Sequence, residues 1–322
     1  MIGILSYLVF FLIQALVYSI VALGLNLQWG YTGLFNIGVA GFFLVGSYTF
    51  AILSGPPYAA HLGGFGLPVV VGVLGAMAAA GLVALIVGIP TLRLREDYLA
   101  IATIGIAEVL RLIALNAKGL TGGSRGAQSI PRPFQAVIHS NLLNNAVYLL
   151  IVIAVVVVVY FALEAMVRSP WGRVLKAIRE DEAAASSLGK SPTSFRLQAF
   201  VIGCVVMGLG GALNASFVGF IAPTDFMPIL TFEIWAMLIA GGSGNNRGAI
   251  LGSVLVWAFW TSMGSLTQSV LPSDLQVKGG ALQIILIGIV LLAILMARPR
   301  GIIGEEAVVS REAQLGGGDA HD

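Results

Sequence analysis

Residues 4–27 read ILSYLVFFLIQALVYSIVALGLNL, an unbroken stretch without one charged side chain. A bilayer core about 30 Å thick is crossed by about 20 apolar residues wound as a helix, so this stretch is long enough to span it. It is longer than the roughly 7–15-residue apolar core of a secretory signal, and no basic flank precedes it; it reads as a retained first membrane helix. Working outward, the same pattern recurs at 34–53, 67–89, 98–115, 145–167, 197–220, 228–240, 248–264 and 280–297. The expectation is an all-α polytopic transmembrane helix bundle with about nine spans, eight to ten at the limits.

Composition points the same way. The chain is 58% hydrophobic and 10% charged, whereas a water-soluble domain carries about 25% charged residues because its surface must be hydrated. No polar linker divides it, so residues 1–304 are expected to form one transmembrane domain. Residues 305–322, polar and carrying Gly316-Gly-Gly318, are expected to be a disordered tail. The net charge of +2 is too small to suggest a nucleic-acid partner; membrane lipid is the expected surround. The single cysteine, Cys204, excludes an intrachain disulfide and a cysteine zinc cluster. His61, His139 and His321 are too scattered to suggest a metal site. No nucleophile–base set or paired carboxylate stands out, so no catalytic residues are assigned and the chain is not expected to be an enzyme.

Orientation follows the basic residues. Residues 168–196 hold Arg168, Arg173, Lys176, Arg179, Lys190 and Arg196; Arg93 and Arg95 fall in the 90–97 link, and Arg298, Arg300 and Arg311 near the end. Nine crossings put all three segments on one side, the expected cytoplasm, and the N-terminus outside. The 116–144 loop, with Lys118, Arg125 and Arg132, falls on the opposite side and runs against the rule.

Two spans are unusual. The one at 228–240 is short and the one at 34–53 is broken by Gly38, Gly41 and Gly46. Interrupted helices at membrane depth are tolerated where protein buries them or where they line a cavity; glycines also simply let helices pack closely. Polar residues inside spans are costly and therefore candidates for function. Glu108 and Arg111 sit three apart on one helix and suit an ion pair. Glu233 lies in the short span without a local cation, either on a transport path or opposite a distant donor. Thr32, Asn36 and Asn214 either line a path for a zwitterion or bond helix to helix. The Gly122-Gly-Ser-Arg-Gly126 loop is either a contact for an external partner or a glycine turn.

Residues 170–190 form the most informative polar stretch. Pro170 suits a helix start, and Gly189 with Pro192 stops it. Val174, Leu175, Ile178 and Leu188 are apolar, while Arg173, Lys176, Arg179, Glu180, Asp181 and Glu182 are charged. The expectation is one short amphipathic helix between two spans. It either lies along the headgroups or docks into a soluble partner, and the acidic residues favour docking because anionic lipid repels them. Ala184–Ser191 reads A-x-x-x-x-G-K-S, one residue from a phosphate-binding loop. Its first position is Ala, and a helix instead of a strand precedes it, so no nucleotide site is assigned.

A further set of motifs runs through the chain: TLRLREDYLAIATIG (91–105) with Glu108, Arg111 and LTGG (120–123), then GRVLKAIREDEAA (172–184) with Gly189, AGGSG (240–244), GAILG (248–252) and RPRGIIG (298–304). On these motifs the chain, over about residues 20–304, resembles the LivM family of permease subunits from branched-chain and other hydrophobic amino-acid ABC importers. The resemblance implies a homologous LivH-type permease, two cytoplasmic ATPase subunits of LivG/LivF type, a periplasmic substrate-binding protein and a bacterial inner (cytoplasmic) membrane. It further implies that ATP and Mg bind only in the ATPases and that 170–190 is the coupling helix, with Arg173, Lys176, Arg179, Glu180, Asp181, Glu182 and Gly189 at the contact. In GYTGLFNIGVAGFF (30–43), Leu34 and Val39 stand where the family often carries Gln and His, which bears on the substrate. Import of urea or short amides fits the same pattern. A secondary transporter working without ATPases is the reading from another class, and it has no use for a charged docking helix at 170–190.

Overall fold

A computed structural model of the chain describes residues 2–57, 64–134, 140–270 and 301–305, together with Ile285, Gly288, Ile289, Leu292 and Met296. The described residues form eleven α-helices: α1 (Ile2–Thr32), α2 (Val39–Ser54), α3 (Val69–Thr91), α4 (Glu96–Asn116), α5 (Lys118–Thr121), α6 (Asn141–Arg168), α7 (Pro170–Glu180), α8 (Glu182–Ser187), α9 (Pro192–Val218), α10 (Pro228–Gly241) and α11 (Asn246–Val270). Among them the extended pairing is a lone bridge between Ala127 and Ile221. Five helices (α1, α3, α4, α6 and α9) are long and apolar enough to cross a membrane, and α2 and α10 are shorter apolar helices. The ninth expected span, 280–297, lies mostly outside the described residues.

Helix α1 is apolar around its whole circumference and so belongs in the middle of a bundle. Ile13, Val17, Ile20, Leu23, Leu25 and Leu27 are all fully buried. Its neighbours are α9, which runs antiparallel along its length, and α6, α10 and α11. Helices α2 and α3 complete the other side of α9. In lipid there is no hydrophobic gain from bringing two apolar helices together, so close backbone contact through small residues does the work. A Cβ on Gly24 would stand 2.6 Å from the Gly203 carbonyl oxygen. Gly46 lies directly on the backbone of Gly208 and Gly41 on Ala107 of α4. The glycines of the second span therefore serve packing.

Helices α3, α4 and α6 are peripheral. Val70, Leu74, Leu82 and Ile86 on α3, Ile101 and Val109 on α4, and Leu150, Val158 and Phe161 on α6 are all exposed. Continuous apolar faces of this extent suit lipid as the surrounding medium.

The second span differs from its expected boundaries. α1 stops at Gly33, whose positive φ of 73° is a conformation that favours glycine at helix ends. Residues 34–38 are non-helical, and α2 begins only at Val39. This backbone is mostly buried, so its polar groups must find partners inside the protein. They do: the Ile37 amide donates to Thr103 Oγ1 (3.0 Å), the Gly38 amide to Asn36 Oδ1 (2.8 Å) and the Ala40 amide to Thr231 Oγ1 (3.1 Å), while Trp235 Nε1 donates to the Asn36 carbonyl (3.0 Å).

The bundle has two chemically distinct ends. The C-terminus of α1, the α3–α4 link, α7, α8, the start of α9, the α10–α11 turn and residues 301–305 gather at one, here the basic end. Arg93, Arg95, Arg168, Arg173, Lys176, Arg179, Lys190, Arg196 and Arg247 lie there. The opposite end carries α5, the Gly123–Arg125 turn and the 219–227 segment, tied by Ala127–Ile221 and Ile130–Gly219 backbone bonds.

Candidate functional site

Three groups of residues carry the polar chemistry. The first is a knot near the basic end. Asn26 Nδ2 donates to Asn246 Oδ1 (2.9 Å), and Asn26 Oδ1 accepts from the Gly244 amide (2.9 Å). Asn246 Nδ2 donates to Glu164 (2.9 Å), which also takes Arg168. Two residues further along α1, Gln28 accepts from Asn36 Nδ2 (2.8 Å) and donates to the Phe200 carbonyl (2.8 Å). Asn26, Gln28, Asn36 and Asn246 are buried and all have partners, so this network joins α1 to α2, α6, α9 and α11. Thr32, also buried, donates back to the Leu27 carbonyl (2.9 Å). Asn36 thus ties the α1–α2 link to α1 and α10, while the Thr32 bond stays within its own helix.

The second group lies deeper along α1. Gln14 Nε2 donates to Asn214 Oδ1 (2.9 Å) across to α9. Tyr18, one turn on from Gln14, packs edge-on against Trp257 (5.0 Å between centroids) and against Phe43 (6.3 Å). Glu233 sits on α10 between Leu230 and Ile234. A small cleft beside them is lined by Tyr18, Val21, Val39, Phe43, Leu230 and Ile234. Glu233 is half-buried and has no hydrogen bond or ion pair among the described residues. Trp257 Nε1 is buried and likewise unpartnered among them. Nearby, a cavity of about 490 Å³ is lined by Trp29, Phe35, Ile37, Phe232, Trp235, Ile239 and Ser243, with Trp29, Phe35 and Trp235 in mutual tilted or edge-on contact. Phe232 and Ile229 on the same face of α10 are exposed.

Of the five sequence-derived path candidates, Asn214 bonds Gln14, one turn before Tyr18, and Glu233 is flanked on α10 by Leu230 and Ile234, which line the cleft with Tyr18. Glu108 does not join them: it pairs with Arg111 (2.5 Å) on the peripheral helix α4, as its spacing predicts. Gln14, Tyr18 and Trp257 were not singled out from the sequence, although Gln14 and Tyr18, four apart in an uncharged helix, carried the signal of a shared polar face.

The third group is the basic-end segment. The single helix expected over 170–190 is two, α7 and α8, separated by Asp181 in extended conformation (φ −151°, ψ 103°). The Asp181 carboxylate accepts the Ala184 amide (2.9 Å), so an N-cap starts a new helix where the old one stops. α7 is rooted: Leu175 and Ile178 are buried, Gly172 sits on the Val167 backbone and Trp171 Nε1 donates to Gln198 (2.8 Å). Arg179 turns inward, its guanidinium donating to the Gly30 carbonyl and to both oxygens of Glu305. Lys176 pairs with Glu305 (3.1 Å) over the Tyr31 ring. Arg173, Glu180, Asp181, Glu182, Gly189 and Lys190 are exposed, and Leu188 is 81% exposed. Of the tail expected from Glu305 onward, 306–322 lies outside the described residues, and Glu305 itself is part of the packed unit.

A polytopic helical bundle with two short apolar helices, α2 and α10, and a charged knob at one end has the build of a membrane transport component. The chain belongs to the family described as "Branched-chain amino acid transport system / permease component", which matches residues 7–295. It is 35% identical over 262 residues to the high-affinity branched-chain amino acid transport system permease protein LivM of Escherichia coli K12, covering 75% of this chain and 60% of that relative. It is 29% identical to a probable LivM permease of Methanocaldococcus jannaschii, covering 91% and 92%. To the E. coli K12 LivH permease it is 27% identical, covering 74% and 79%. The aligned part thus spans about three-fifths of the E. coli LivM length. No solved structure matches the chain.

Proposed function

We propose that this chain is the permease subunit of an ATP-driven importer for branched-chain or other hydrophobic amino acids. The observation that carries the reading is α7–α8. Its first half is wedged among the ends of α1, α6 and α9, while Glu180–Lys190 is mostly exposed, held to α9 by the Glu182–Arg196 ion pair (2.7 Å) and the buried Ala185, with Leu188 exposed among charged residues. A rooted helix with a free apolar tip suits a soluble partner's groove. Closure of that partner on ATP then rotates the attached spans as rigid bodies, a known mode of switching. The bundle alternates between two openings to the extent that ATP binding favours one of them.

The ATP and Mg are held by two cytoplasmic ATPase subunits, and this chain contributes no cofactor site. The E. coli LivH relative supports a homologous second permease as the membrane partner. The exposed Ile229–Phe232 face of α10 and the aromatic cavity beside it are the surface across which that partner and the path would meet. Along the path, Glu233 faces the ammonium of the substrate and the aromatic side chains face its apolar part. A periplasmic binding protein delivers substrate to the end carrying α5. The positive-inside rule supports a cytoplasmic basic end in a bacterial inner membrane, with the N-terminus periplasmic.

The test is co-purification in mild detergent followed by reconstitution. Recovery of a second permease and two ATPases, and leucine uptake that requires ATP, is the expected result. A chain that purifies alone and moves solute without ATP overturns the proposal.

A further inference from the structure

The RPRGIIG motif at 298–304 was conspicuous in the sequence, yet the transport reading gives it no role. Its described part makes a strap. The Ile302 amide donates to the Ala240 carbonyl (3.0 Å), the Ile303 amide to the Gly241 carbonyl (2.9 Å), and Asn245 Nδ2 to the Gly304 carbonyl (3.2 Å). Gly301, with φ of 74°, lies directly on Gly242. Residues 301–304 are thereby bonded to the last turn of α10 and to the α10–α11 link. The next residue, Glu305, reaches the other way, taking Arg179 Nη2 on both oxygens (3.1 and 2.9 Å) and Lys176 Nζ (3.1 Å). Arg179 also holds the Gly30 carbonyl of α1, and Gly30 in turn lies against Gly244.

We propose that Glu305 is a positioning residue of the transport cycle, the clamp through which α7 and α10 move as one body. This rests on the importer reading above. Three elements far apart in sequence meet at one carboxylate: α7 through two cations, α1 through the shared arginine, and α10 through the strap's backbone. The contact is half-buried, with side-chain exposures of 24–30%, and a carboxylate shared by two cations is geometrically more restrictive than a lone surface pair. Glu233 lies seven residues before Ala240, about two turns, or roughly 10 Å, along the same helix. Displacement of α7 therefore reaches the helix that carries Glu233 through the strap's backbone bonds to α10. Removing Glu305 leaves Lys176 and Arg179 as neighbouring like charges, which pushes α7 away from the strap.

The test uses the complete reconstituted complex in vesicles, reading ATP hydrolysis and leucine uptake together. Glu305→Gln is expected to assemble and hydrolyse ATP, while uptake per ATP falls about fivefold or more, the low end of a typical coupling free energy. Glu305→Asp is expected to restore most of that ratio. Hydrogen exchange at the Ile302 and Ile303 amides is expected to accelerate about tenfold in Glu305→Gln as the strap lifts. If Glu305→Gln fails to accumulate, Lys176→Gln, which leaves the arginine bonds in place, is expected to lower the same ratio by a smaller factor. An unchanged ratio in whichever variant is measured overturns the clamp, and so does a parallel fall in hydrolysis and uptake, which marks a merely structural role. A wild-type complex without ATP-dependent uptake removes the importer reading itself; normal wild-type uptake beside an indifferent Glu305→Gln removes only the clamp.

Discussion

The knot at the basic end and the cluster around Tyr18 are both polar groups on α1 inside an apolar bundle, yet they differ in one respect. Asn26, Gln28, Asn36 and Asn246 are buried and all partnered. Around Tyr18, Glu233 has no hydrogen-bonding partner among the described residues and the buried Trp257 Nε1 has none either. Polar groups cost free energy in a membrane unless satisfied. A satisfied network is architecture, whereas these two groups around Tyr18 have no such partners among the described residues.

That contrast can be broken at either side. The largest effect is expected from Asn26→Leu, which strips a bond from Asn246 and leaves the Gly244 amide orphaned. The cost is about 3 kcal/mol, read as a lower thermal midpoint of the purified chain and a lower membrane level. Glu233→Gln is expected to do the reverse: uptake falls about tenfold, or ~1.4 kcal/mol, while the thermal midpoint holds or rises because a half-buried charge without a partner among the described residues is removed. A midpoint that drops as far as that of Asn26→Leu would place Glu233 in the architecture instead. Trp257→Phe should lower uptake about threefold by deleting a donor offered to substrate, with a stability change under about 1 kcal/mol since that N–H has no partner among the described residues. Glu108→Gln breaks an i,i+3 pair on the peripheral helix; a stability change within about 0.5 kcal/mol and normal uptake are expected. Uptake loss matching that of Glu233→Gln would contradict the placement of the path along α10.

Much of this was legible before the structure, and the misses share a cause. The spans were readable because length and apolarity are properties of each segment alone, and Glu108–Arg111 because its partners are one turn apart. The site was half legible: Glu233 stood out as a lone carboxylate in a short span, but Gln14 and Tyr18 looked like ordinary interruptions of an apolar helix. Thr32 and Asn36 matched the chemistry of a path, yet buried backbone between α1 and α2 required partners and claimed Asn36. The break at Asp181 was missed because Pro170 and Gly189 mark the outer ends of the segment, while an aspartate that caps a helix looks in sequence like any charged residue on its surface.

By itself the sequence determined that the chain is a membrane bundle, where most helices run, and which end collects the basic residues. Hydrophobic run length and charge placement act locally, against a solvent common to every segment. The tertiary structure alone decided which polar residues find partners among the described residues. It also decided that Arg179 faces inward and that Glu305 pairs with it and with Lys176. Those outcomes depend on partners 126 to 220 residues away, and whether a buried polar group is a bond or a vacancy is set by what the fold brings beside it.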